Sequence, residues 1–156
     1  MNDEKICPAC GSKNLNKKTI THFIDEAFDC QKTIELSEYY CNDCESSGDF
    51  FDENNAIISS ELKALKNTCA SNIISDFVKN NISMSSIERA LELPQRTLAK
   101  WKSGHVAPSS SGIALLKFLR LFPWLLEVAD NNYDYEVSQK IFIKQAVNNF
   151  LDLIKS

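Results

Sequence analysis

Hydrophobic and polar positions change rhythm once along the chain, near Asn54. Before that point residues 18–24, 28–34 and 34–40 alternate in part, with Ile34, Leu36 and Glu38 set against Thr33, Glu35 and Ser37. A period of two predicts two or three short strands forming a ribbon. Beyond it Ile57, Ile58, Leu62 and Leu65 recur at helical spacing, and Ile73, Ile74, Phe77 and Val78 share one face of a helix expected over 68–79. Asn80-Asn81 ends that helix, Ser83 or Ser85 caps the next, and the short helix over 85–91 presents Ile87 and Leu91 on one side.

The next segment carries both a start and a stop signal. Pro94 suits the first turn of a helix and Gly104 its end. Leu98 and Trp101, three apart, are expected to pack inward with Ile87 and Leu91, which turns Gln95, Arg96, Thr97 and Lys100 outward. Two short helices joined by a tight turn predict a helix-turn-helix. Ser109–Ser111, after Pro108, start another helix with free N-terminal amides suited to a phosphate. In it Ile113, Leu115, Leu116, Leu119 and Leu121 read as buried, and Pro123 follows. The last stretch, 136–155, is amphipathic: Ile143, Val147, Phe150 and Ile154 line one face, flanked by Ile141, Ala146 and Leu151. This helix either packs back onto its own module or is exchanged with a second copy to form a dimer; the pattern is compatible with both. The expected fold class is α+β: a zinc-binding β-ribbon module over 1–53, a helical linker over 54–67, a helix-turn-helix domain over 68–130 and a C-terminal amphipathic helix over 131–156.

Composition supports a globular chain. Of 156 residues 44% are hydrophobic and 24% charged, with four Gly and four Pro, which excludes disordered and fibrous classes. The apolar run at 121–126 is far short of the ~20 residues a membrane span needs. Asn2-Asp3-Glu4-Lys5 leads straight into a cysteine motif with no apolar stretch, so no signal peptide is expected and the location implied is cytoplasmic. The net charge of −4 argues against a nucleic-acid partner, but its distribution reverses that reading. Residues 1–66 hold 7 basic and 13 acidic side chains, and residues 67–156 hold 10 basic and 8 acidic. Between 93 and 126 there is no acid, against five bases: Arg96, Lys100, Lys102, Lys117 and Arg120.

Cysteine divides the chain in the same way. Five of six precede residue 45, and four form two Cys-x-x-Cys pairs, Cys7/Cys10 and Cys41/Cys44. In a reducing compartment such pairs point to metal before disulfides. Each turn aims two sulfurs at one point, and Gly11 permits the left-handed backbone that directs amides at the thiolates. Two turns complete a tetrahedral set for one structural zinc ion. Iron meets the same spacing. A redox dithiol needs one such pair beside a βαβ unit, and a catalytic zinc needs an open ligand position; neither pattern is present. Cys30 reads as a half-buried strand residue rather than a fifth ligand, and His22 is a weak substitute for a cysteine. With only His22 and His105, and neither in a catalytic grouping, no enzyme is expected.

The outward side chains of the helix pair suit groove reading. Arg donates twice to guanine, Gln pairs with adenine and the Thr methyl meets the thymine methyl, so Gln95, Arg96, Thr97 and Lys100 are candidate base readers. Lys100 and Lys102 are placed for phosphates.

The order of parts resembles the MqsA-type antitoxins, with their YgiT-type zinc finger and Cro/C1-like DNA-binding domain. The resemblance rests on Cys7-Pro8-Ala9-Cys10-Gly11, Cys41-Asn42-Asp43-Cys44-Glu45-Ser46, Lys63-Ala64, and Trp101-Lys102-Ser103-Gly104 leading to Pro108 and Leu115-Leu116-Lys117-Phe118-Leu119. It spans roughly residues 5–126. Met84 departs from it, standing where Cro-like domains usually carry a phosphate-contacting Gln, and so do Glu88 and Glu92, at positions that often hold a small residue and Gly. Residues 131–156 have no counterpart. The resemblance implies a transcriptional repressor that dimerises on a palindromic operator in double-stranded DNA, with Arg96 and Lys100 at base-reading positions, and whose zinc module grips a basic RNase toxin. The alternative from the residues is an adaptor whose acidic zinc module binds a basic partner, DNA contact being incidental.

Overall fold

A computed structural model describes residues 5–155 of the chain. It is α+β, a three-stranded antiparallel sheet with a cysteine cluster followed by helices. The chain divides into two compact units, Met1–Lys66 and Asn67–Ser156.

In the first unit β1 (Leu15–Glu26) and β2 (Cys30–Cys41) form one long hairpin, in register from Leu15 opposite Cys41 to Glu26 opposite Cys30. A two-residue β3 (Ser47–Gly48) adds to the far side of β2. Where alternation suggested a strand break within 28–40, β2 runs unbroken from Cys30. The turn is instead at Ala27-Phe28-Asp29, where Phe28 and Asp29 take positive φ of 63° and 57°. A tight hairpin demands that backbone sign, and Phe28 adopts it against the preference of a bulky residue. Ile24, Ile34, Leu36 and Tyr39 are buried, with Phe51 edge-on to Tyr39 at 4.8 Å.

Helix α1 runs continuously over Glu53–Lys79, so the expected linker and the expected helix over 68–79 are one element. Its first amides are capped by Asp49, whose carboxylate accepts from the Glu53 and Asn54 N–H groups at 3.0 and 2.9 Å. Buried Asn54 accepts from the Ser37 N–H at 2.9 Å and donates to the Ser37 carbonyl at 2.7 Å, which fastens the helix start to β2.

In the second unit the later part of α1 is followed by α2 (Met84–Ala90), α3 (Thr97–Lys102), α4 (Ser110–Leu121), α5 (Leu125–Asp130) and α6 (Tyr135–Lys155). Ser83 caps α2 and Ser109 caps α4, each side chain accepting from the third residue on. The Asp134 carboxylate does the same for α6 through the Val137 N–H at 2.9 Å. Ile73, Ile74, Ile87, Leu98, Leu116 and Leu119 are essentially sealed from solvent and form the core. Trp101 is only half-buried, its ring lying over Gly112, where an added Cβ would come within 3.0 Å. Leu115 and Leu121, expected inside, are exposed. Among the described residues no helix is long and apolar enough to cross a membrane.

Candidate functional site

Two turns of the first unit bring Cys7, Cys10, Cys41 and Cys44 together, all four sulfurs lying within 4.8 Å of one another. The turns are built alike. The Cys7 N–H donates to the Ser12 carbonyl at 2.8 Å and the Gly11 N–H to the Cys7 carbonyl at 2.8 Å. The Cys41 N–H donates to the Ser46 carbonyl at 2.9 Å and the Glu45 N–H to the Cys41 carbonyl at 2.9 Å. In both, the residue after the second cysteine is left-handed: Gly11 at φ 76° and Glu45 at φ 58°. Glycine was the visible signal for the first turn; the second reaches the same shape without one. Asn14, Asn16, Asn42 and Asp43 bond the two turns together, with the Asn42 N–H on the Asn14 carbonyl at 3.0 Å and the Asn14 amide on Asp43 at 2.9 Å.

The donor set fits a tetrahedral ion. With metal–sulfur bonds of ~2.3 Å, a tetrahedron has sulfur–sulfur edges of about 3.8 Å. Cys7 and Cys44 are 3.7 Å apart, and Cys10 and Cys41 3.6 Å. No cysteine is in a disulfide. The Ser46 hydroxyl, 3.0 Å from the Cys44 sulfur and 3.5 Å from that of Cys7, joins the site. Its hydrogen bond is the main reason the Cys7 thiol falls to about 6, and it also lowers Cys44. At Cys10 the Ser12 amide favours the thiolate, but Cys44, burial and Cys41 outweigh it and push the thiol up to about 12. Without a cation the cluster favours thiolate at two positions and thiol at a third. A bound divalent ion removes that conflict and displaces the remaining protons. Cys30 and His22 lie on the strands outside this cluster, and Cys69 is buried in α1.

Beside the cluster, Glu53 holds a small ionic knot. Its carboxylate pairs with Lys5, with Lys17 at 2.8 Å, and with the Tyr39 hydroxyl at 3.0 Å. Lys17 first, then Lys5 and Tyr39, depress the Glu53 carboxyl to about 2.

In the second unit the candidate base readers do not share a helix. Gln95 and Arg96 sit in the turn before α3, Arg96 with a left-handed φ of 65°; Thr97 opens the helix half-buried, and Lys100 and Lys102 are exposed on it. The helix therefore starts three residues after Pro94, and the turn is longer than expected. Glu88 supplies the reason. Buried on α2, its carboxylate accepts from the Arg96 N–H at 3.1 Å and from the Leu98 N–H at 2.8 Å. These charge-assisted bonds cap α3 from the neighbouring helix and fix where it begins. Glu88 stood out in the sequence only as a departure, since nothing local tells a capping carboxylate from a surface one.

Ser71 closes the other end of α3, its hydroxyl donating to the Lys102 carbonyl at 2.9 Å. Arg96, Ala99, Lys100, Ser103, His105 and Val106 line a shallow depression on the exposed side. Not all the bases of the acid-free segment face solvent: Arg120 pairs with Asp76 of α1, and Lys117 is half-buried. The free positive face reduces to Arg96, Lys100 and Lys102. Comparison of the chain with protein-family profiles, with curated proteins and with solved structures returned no match in any of the three.

Proposed function

We propose that the chain is a zinc-containing transcriptional repressor of the antitoxin kind. One structural zinc is held by Cys7, Cys10, Cys41 and Cys44, and α2 and α3 act as a Cro/C1-like helix-turn-helix on double-stranded DNA. The observation that carries the reading is the face made by Arg96, Lys100 and Lys102, exposed on and just before a short helix whose start is fixed by Glu88. Glu88 is buried and its oxygens are engaged by amides, so no carboxylate on this helix pair competes with a phosphate except exposed Glu92. Arg96, Gln95 and Thr97 lead into the groove, Lys100 contributes to base and phosphate contact, and Lys102 holds phosphate. Two copies read half-sites of a palindrome about 34–36 Å apart.

The test is a gel shift of an Arg96→Ala/Lys100→Ala double variant on the promoter of the chain's own operon. Loss of shifted complex is expected, with wild-type affinity falling about 0.9 log units per log of salt for each phosphate neutralised. Unchanged affinity and sequence preference in the variant, or binding indifferent to salt, refutes the assignment.

The acidic first unit favours a second role within the same reading. Thirteen acids against seven bases in residues 1–66 suit a basic partner such as an RNase toxin. A stable complex between the full chain and a short basic protein encoded beside it supports the antitoxin role. If that complex forms and the gel shift fails, the chain is an adaptor without a DNA function.

A further inference from the structure

The long last helix turns its apolar stripe away from its own unit. At 100° per residue Ile143, Val147, Phe150 and Ile154 lie within a sector of roughly 60°. They are 58%, 50%, 63% and 65% exposed. Ser138, Ile141 and Gln145, on the opposite side, are the positions that are buried or half-buried. The stripe is therefore not the face that docks α6 onto its module, and a different and narrower face does that work. Phe142 extends the apolar surface toward the base of the helix: its ring is 6.0 Å from that of Trp124, which is 6.3 Å from that of Phe122 at the end of α4.

We propose that this stripe is the contact surface for a second copy of the chain, with the two α6 helices packed antiparallel about a two-fold axis near Val147. Area supports a self-contact. The stripe with Phe142 and Leu151 leaves on the order of 600 Å² of apolar surface in water, at the top of the ~300–600 Å² typical of the largest patch on a monomer. Two such faces bury on the order of 1,200 Å², the lower bound of stable interfaces. Charge sets the direction. Glu136 continues the line of the stripe at the start of α6, and Lys155 stands in its last turn. Antiparallel pairing brings Glu136 of one copy toward Lys155 of the other at both ends and opposes the helix dipoles favourably; parallel pairing sets Glu136 against Glu136. A two-fold contact needs such self-complementarity, because the same patch serves both sides. The proposal concerns the surface by which copies associate and does not depend on DNA binding.

Sedimentation of the full metal-loaded chain tests it. A particle of twice the chain mass is expected at ~100 µM, with its dissociation constant raised at least 100-fold in Val147→Glu/Phe150→Glu while far-ultraviolet circular dichroism keeps the α6 signal. Glu136→Lys, an exposed change, is expected to weaken association about tenfold, and Glu136→Lys/Lys155→Glu to restore it. A wild-type monomer at that concentration, or a dimer indifferent to Val147→Glu/Phe150→Glu, overturns the proposal. If that variant loses helix, the Glu136 pair decides: no weakening, or weakening without rescue, also overturns it.

Discussion

The two units reach order by different routes. In the first, the hairpin buries few apolar side chains, and four sulfurs and a belt of asparagine contacts close the chain on itself. In the second, isoleucine and leucine from α1, α2, α3 and α4 meet in a sealed core with no metal-ligating group among them. The first is consequently a fold whose free energy is shared with a ligand, and the second one whose free energy lies in apolar burial. Chelation and cavity mutations address these two sources separately.

Metal removal should separate the units most sharply. Structural zinc contributes ~10–16 kcal/mol of apparent binding free energy in small finger peptides. Cys41→Ser/Cys44→Ser, or a strong chelator, is therefore expected to abolish hydrogen-exchange protection across β1 and β2 while the amides around Leu98 stay protected. Simultaneous loss in both units would show that they are not energetically separable. The next effect belongs to the second unit. Glu88→Ala strands the buried Leu98 amide and is expected to cost about 2–3 kcal/mol in denaturant unfolding of that unit, with the metal content unchanged. A cost under about 0.5 kcal/mol would remove Glu88 as the cap.

Gly112→Ala probes the same core from outside. Its methyl meets Trp101 at 3.0 Å, so the ring must shift, at about 1 kcal/mol and with a change in tryptophan emission. Unaltered stability and emission would mean that the ring yields freely. The smallest effect is ionic. The Glu53 carboxyl sits well below its ordinary 4.5, so its contribution is complete above that pH and is lost as pH falls toward about 2. The stability gap between wild type and Glu53→Gln in the first unit should be small, flat from pH 8 to about 5, and reduced by salt. A gap that changes within that window would assign it to another group.

The sulfur cluster was legible because ligand spacing is a local property: Cys7, Cys10, Cys41 and Cys44 meet as their spacing predicts. Helix periods and caps such as Ser83 were legible for the same reason. What the sequence hid depended on partners far along the chain. Glu88 caps a helix eight to ten residues on, and Asp76 takes up Arg120 from 44 residues away, and neither pairing leaves a periodic trace. The hairpin turn was missed because Phe28 carries no turn chemistry. The stripe of α6 was read correctly as a stripe, but periodicity reports that a face is apolar and not what it meets.

The bond from the Leu98 amide to Glu88 has a spectroscopic consequence. A buried N–H donating at 2.8 Å to a carboxylate is strongly polarised, so its proton should resonate well downfield of the other amides and exchange slowly. That one resonance lies between α2 and α3 and touches no exposed surface. It gives a built-in gauge of whether the helix pair holds its geometry when a ligand is added, read without any label on the face that would meet it.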